Sequence, residues 1–166
     1  MKKMIIILVV LIILISISKE EDITIPKESI RFRIIANSND PQDQKDKMII
    51  AKELEKTIIP KIETAQNIEE SRKLINENMT LLNNVVGKYS NKFNINFGYN
   101  YFPTKEFKGV TYDSGQYESL IVTLGEGKGE NFWCVLFPPL CLLEAQETES
   151  TDIEYKSFVK EILSKV

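Results

Sequence analysis

Histidine is absent from all 166 residues, which removes the commonest general base, the Ser-His-Asp and Cys-His arrangements and nearly every zinc-ligand set. Arginine is scarce, at Arg31, Arg33 and Arg72 alone, and the formal net charge is −3, or −5 with Lys2 and Lys3 set aside. Nucleic acid normally requires a basic face on its partner, so no nucleic acid is expected here. Cysteine occurs only at 134 and 141, and tryptophan only at 133. Carboxylates are plentiful, but Asp113, Glu118 and Glu126 have no spacing that pairs them, and charges beside turns are usually solvated. The expectation is therefore no metal, no cofactor and no catalytic residue.

What is present begins with a leader. Lys2 and Lys3 precede Met4–Ile17, an apolar run whose single polar residue is Ser16, the charged-then-apolar order of an export signal. A bilayer-spanning helix needs about 20 apolar residues, so this run is short for an anchor. Residues 1–18 read as an export signal or N-terminal anchor. Ser16 and Ser18 offer small side chains for cleavage after Ser18; if uncleaved, the leader would keep the chain on a membrane. Residues 19–29 read as a polar tether in which little packs. A single α+β domain over 30–143, an acidic linker at 144–152 and a C-terminal helix at 153–166 complete the division.

The densest apolar stretch outside the leader is Tyr117–Cys141. Tyr117–Leu124 and Phe132–Phe137 are rich in β-branched and aromatic residues, which favours strands. Gly125, Gly127 and Gly129 permit a reversal between them, so the two strands are expected to pair as a hairpin. A phosphate loop at GEGKG is the weaker reading, because that motif needs GxxxxGK[ST] spacing and a helix behind it, where Asn131–Phe137 reads as strand. Pro138 and Pro139 stop the second strand, since neither donates a ladder hydrogen bond.

Upstream, Ser29–Ala36 alternates Ile30, Phe32 and Ile34 against Arg31 and Arg33, the period of a half-buried strand with the arginines on its polar face. Asp40 caps and Pro41 opens a helix to about Ile59, with Asp43 in its first turn and Met48, Ala51, Leu54 and Ile58 on one face. Pro60 ends or kinks it. Asn67 caps a second helix running to about Tyr89. Phe93–Tyr101 alternates aromatic or aliphatic with Asn or Gly, predicting a buried aromatic face and a wet asparagine face. Residues 102–116 read mostly as loop, with a short strand at Val110–Tyr112. The sum is a sheet of about four strands carrying an antiparallel helix pair on one face, with a short, peripheral C-terminal helix.

Several residues are candidates for function. Cys134 and Cys141 lie in a chain expected to be exported, where paired cysteines suggest a disulfide; two buried thiols and a reactive pair remain as alternatives. Trp133 reads as core more readily than as an exposed anchor. Arg31 and Arg33 divide between sheet-face ion pairs and a partner-facing patch. The loops Asn37–Asp40 and Gly125–Asn131 each follow an apolar strand. Asn37, Ser38, Asp40, Glu126, Lys128 and Asn131 are thus candidate contact residues, with Gly125, Gly127, Gly129, Trp133, Pro138 and Pro139 as structural ones.

With these elements placed, IRFRIIANSNDPQDQ at 30–44 and FPTKEFKGVTYDSGQYESLIVTLGEGKGENFWCVLFPPLC at 102–141 resemble the stage II sporulation protein R family of endospore-forming bacteria. Asn39-Asp40 stands where the pattern has aspartate then serine, and Phe132 where it has a second tryptophan. The resemblance implies a non-enzymatic signalling protein made in the forespore and exported into the space between the forespore and mother-cell membranes. Its implied partner is a membrane-embedded aspartic protease that cleaves the pro-sequence from a sigma factor. The competing expectation is an extracytoplasmic hydrolase of cell-wall or peptide substrates.

Overall fold

A computed structural model describes residues 23–141 and 152–165. The leader, its cleavage position and most of the acidic linker lie outside the described residues. The elements in chain order are β1 (Ile23–Thr24), β2 (Ile30–Ile35), α1 (Pro41–Thr57), α2 (Ile59–Ile62), α3 (Ile68–Glu77), α4 (Met79–Gly87), β3 (Phe93–Phe102), β4 (Lys105–Phe107), β5 (Val110–Tyr112), β6 (Gly115–Leu124), β7 (Asn131–Phe137) and α5 (Asp152–Leu163). The class is α+β, with a four-stranded sheet ordered β3-β6-β2-β7 and a three-stranded sheet ordered β1-β5-β4.

The expected hairpin between Tyr117–Leu124 and Phe132–Phe137 does not form. β2 lies between them, parallel to β6 with Ile30 opposite Glu118 and antiparallel to β7 with Ile35 opposite Asn131. β6 and β7 are therefore two strand spacings apart, roughly 9–10 Å, and the glycine loop bridges that distance across the end of β2. This insertion makes β2 an inner strand, hydrogen-bonded along both edges. Ile30, Phe32 and Ile34 enter the main core with Leu120, Val122, Leu124 and Leu136 beneath the helices.

The helices follow the start and stop chemistry of their termini. Pro41 opens α1, and the helical hydrogen bonding is interrupted near Pro60, which has no N–H to donate, so α2 starts afresh at Ile59. The buried face of α1 is Lys47, Ile50, Ala51 and Leu54, whereas Met48 is exposed, one position away from the expected stripe. Asp40 is the N-cap residue but its side chain makes no capping bond. Asn67 does cap, its Oδ1 accepting from the Glu70 N–H at 2.9 Å. The second predicted helix is divided at Asn78, whose Nδ2 donates to the Leu74 carbonyl at 2.8 Å. The same side-chain bond at Asn76 and Asn83 leaves their helices unbroken, so it does not by itself account for the break.

The opposite sheet face carries a second layer. Ile23, Ile25, Val110, Tyr112, Val135, Leu140, Tyr155 and Val159 form its core, so residues 23–25 pack rather than trail as a tether. β1 pairs parallel with β5, and the Ile25 N–H donates to the Thr111 carbonyl at 3.2 Å. Helix α5 is seated on this layer through Tyr155, whose hydroxyl meets that of Tyr112 at 3.0 Å.

On β3 the alternation predicts the face correctly but not its cover. Phe93, Ile95 and Phe97 are half-buried against the core, while Tyr99 and Tyr101 are 72% and 59% exposed. Asn94 and Asn96 are wet, and Asn100 turns inward to donate to Ser119 Oγ at 3.0 Å.

Candidate functional site

At the end of β2 the two predicted loops meet. Lys128 and Gly129 donate their backbone N–H groups to the carbonyls of Asn37 and Ala36 at 3.0 and 2.9 Å. Asn37 Oδ1 accepts from the Glu126 N–H at 2.8 Å, and Asn39 Oδ1 accepts from the Glu130 N–H at 2.7 Å. Gly125 and Gly127 sit at φ of 54° and 64°, a region costly for residues bearing a Cβ. A Cβ on Gly125 would also overlap Asn37 Oδ1, and one on Gly129 would overlap the Ser38 carbonyl. The glycines are thus required by conformation and by close approach.

Helix α1 fixes this clasp from below. Asp43 accepts from Asn37 Nδ2 at 2.8 Å and from Ser38 Oγ at 2.6 Å. Those two bonds, Ser38 first, hold the Asp43 carboxyl below the usual aspartate range. Gln44 donates to the Ser38 carbonyl at 2.8 Å, and buried Lys47 donates to Gln44 Oε1 at 2.6 Å and to the Glu130 carbonyl at 3.1 Å. Burial lowers the Lys47 pKa. Asp43, Gln44 and Lys47 are the members of the site that pattern reading missed. Their one signal was Asp43, read only as a helix-dipole residue.

The clasp presents Asn39, Asp40, Glu126, Lys128 and Glu130 as exposed side chains on a backbone held at both ends. Glu126 pairs with Lys92, and that contact depresses the Glu126 pKa. Asn37 and Ser38 point inward, so they hold the loops rather than face solvent. A groove beside the clasp, lined by Asp43, Asp46, Tyr89, Lys92 and Gly125, encloses about 390 Å³.

Arg31 and Arg33 are not part of this surface. Arg31 is 1% exposed, with its guanidinium 3.3 Å from the Tyr117 ring centroid and 5.3 Å from that of Phe102. Arg33 stacks on Phe102 at 4.6 Å and reaches Trp133 at 5.9 Å. Among the described residues neither makes an ion pair, and Arg31 is buried rather than partner-facing, whereas Arg33 is half-buried. Trp133 is half-buried, packed edge-on to Phe102 at 5.1 Å. Asn131 opens β7 and is exposed.

Cys134 and Cys141 form a disulfide with Cα atoms 5.0 Å apart, and the Phe137–Pro138 peptide is cis. The Leu140 N–H returns to the Val135 carbonyl at 3.0 Å, the fold-back that the Pro138-Pro139 segment performs. The scattered carboxylates do not converge. Glu118 accepts from Arg72 Nε at 2.9 Å, Glu126 is beside Lys92, and Asp113 offers its backbone carbonyl to Arg31 at 3.2 Å. No cluster of acidic or cysteine residues among the described residues is arranged to hold a metal ion.

The profile of the family described as Stage II sporulation protein R matches residues 26–147. A curated relative, the Stage II sporulation protein R of Bacillus subtilis (strain 168), is 35% identical over 139 residues, covering 80% of this chain and 62% of the relative. The chain thus spans about six tenths of that relative's length. No solved structure matches.

Proposed function

The chain belongs to the stage II sporulation protein R family, and on that premise we propose that it is an exported sporulation signal that activates a membrane-embedded aspartic protease by contact. The activated protease then removes the pro-sequence of a sigma factor in the mother cell. The observation that supports contact is the clasp. Two loops 89 residues apart in sequence are joined through Asn37 and Glu126, giving a polar surface whose backbone is fixed before any partner arrives. Preorganisation of this kind reduces the ordering cost of binding. A ligand shifts a partner's equilibrium only by its differential affinity for the active state, so weakening the contact should lower activation in graded steps.

The test is co-expression with the candidate protease and its pro-sigma substrate, scoring processed substrate. Lys128→Glu and Asp40→Lys should each reduce processing several-fold while the thermal unfolding midpoint stays unchanged. The opposing arm replaces Asp40, Asp113, Glu118 and Glu126 singly by their amides. Complete loss of signalling from one amide, with folding and protease binding intact, would instead favour a hydrolase.

A further inference from the structure

Between the main sheet and the small β4–β5 layer lies a pocket of about 220 Å³, lined by Arg31, Phe102, Lys105, Phe107 and Trp133 among others. It lies on the sheet face opposite the helices, with Asn131 at the end of the glycine loop in its lining. Its distinguishing feature is a buried guanidinium with unmet donors. Arg31 donates once, through Nη2 to the Asp113 carbonyl, while its Nε and Nη1 are buried without a hydrogen-bond partner, as is Arg33 Nε. Burial lowers the pKa of both arginines. Lys105 adds a second cation to the lining, 5.1 Å from the Trp133 ring centroid. No carboxylate lines the cavity.

Stacking on aromatic faces compensates a guanidinium in part, but a buried donor with no acceptor costs the full desolvation of that group. An anion entering the pocket would supply the missing acceptor. Carboxylate suits this site better than phosphate, because it is planar and singly charged, as guanidinium is, and needs fewer donors. The aromatic walls would leave a bare ion poorly matched and favour one joined to an apolar group.

We propose that this pocket binds a carboxylate carried on a small apolar body, with Arg31 and Lys105 as its cationic side and Phe102, Phe107 and Trp133 as its walls. The source is either a free small acid or the C-terminal carboxylate of a polypeptide ending in an apolar residue. The recognition chemistry is the same for both.

Trp133 is the chain's single tryptophan and lines the pocket, so its fluorescence reports occupancy directly. The full-length chain is titrated with N-acetylphenylalanine, with the corresponding neutral amide, and with an acetylated Gly-Gly-Phe peptide bearing a free C-terminus. The acid should give a saturable change, and the amide should bind at least tenfold more weakly. Lys105→Gln should weaken the acid several-fold with an unchanged unfolding midpoint, and Lys105→Glu should weaken it further. Tighter binding of the peptide than of the capped amino acid identifies a chain end as the source. The reverse order identifies a free acid. Equal affinity for acid and amide, or no saturable change with either, overturns the proposal and leaves the arginines as aromatic-stacked packing groups.

Discussion

The side-chain oxygen of Asn37 accepts the backbone N–H of Glu126 at 2.8 Å, while the amide nitrogen of the same side chain donates to Asp43 at 2.8 Å. One side chain therefore joins strand end, crossing loop and helix start. Asn37→Ala removes the acceptor of the Glu126 N–H and leaves Asp43 Oδ2 with Ser38 alone. It should lower unfolding free energy by about 0.5–1.5 kcal/mol, the usual net contribution of a hydrogen bond. Urea denaturation of the variant is the check. A change below a few tenths would show that water replaces Asn37 freely.

Gly125→Ala should be more damaging than Asn37→Ala, since it strains a residue at φ of 54° and pushes a methyl group into Asn37 at the same time. Gly98→Ala is the control, because a Cβ there meets only Asn96 Oδ1 at an ordinary 3.9 Å. Comparison of their thermal midpoints, with Gly125→Ala the lower, is the expected outcome.

The pH response of the clasp has a defined sign. Hydrogen bonds from Ser38 and Asn37 depress the Asp43 pKa in the folded protein. Its contribution to stability is then fully present above the ordinary aspartate pKa and is lost as pH falls through the lower folded value. Ser38→Ala should raise the Asp43 pKa and shift that loss to higher pH. Carboxyl carbon shifts followed by NMR titration would read the difference, and identical titration of Asp43 in both proteins would contradict the assignment.

Reduction of the Cys134–Cys141 disulfide should destabilise the fold. The cross-link closes a short loop, a separation of seven residues, for which the chain-entropy argument gives about 2–3 kcal/mol. The double variant Cys134→Ala, Cys141→Ala should show a comparable loss in denaturant melts and no further response to reductant.

Trp133→Ala tests how far the arginine-aromatic layer supports the fold. A fully buried tryptophan would cost about 3–5 kcal/mol on truncation. Trp133 is half-buried, with an edge contact to Phe102, so a loss of about 2 kcal/mol is expected from half that burial plus the lost aromatic pair. Equilibrium unfolding followed by circular dichroism measures it without needing the removed fluorophore.

Local chemistry was readable where it depends on neighbours in sequence. Asp40-Pro41, Asn67 and Pro60 marked helix limits because capping and the missing proline N–H act within one turn. Loops 37–40 and 125–131 were singled out together because each follows an apolar strand, but that pattern carried no sign that they hydrogen-bond to one another. Pairing order was not readable, because period two assigns faces and says nothing of which strand lies alongside; Tyr117–Phe137 therefore read as a hairpin although β2 is inserted. The arginines misled for a related reason. Alternation put Arg31 and Arg33 on a face that polarity marks as wet, but Phe102, Tyr117 and Trp133, all distant in sequence, cover it. Tyr99 and Tyr101 failed in the opposite direction, since alternation cannot tell where the overlying helices stop.

The insertion of β2 also sets an order of assembly. Ile30 pairs with Glu118 on one side and Phe137 on the other, so the strand made first waits for both neighbours until the last third of the chain has been synthesised. A polypeptide ending before Gly115 holds α1–α4 and β3 but lacks the strand joining β3 to β2. Non-local pairing of this kind slows folding relative to helical hairpins. The domain should therefore show no stable N-terminal half, and the emerging chain stays extended and threadable until its final strands arrive.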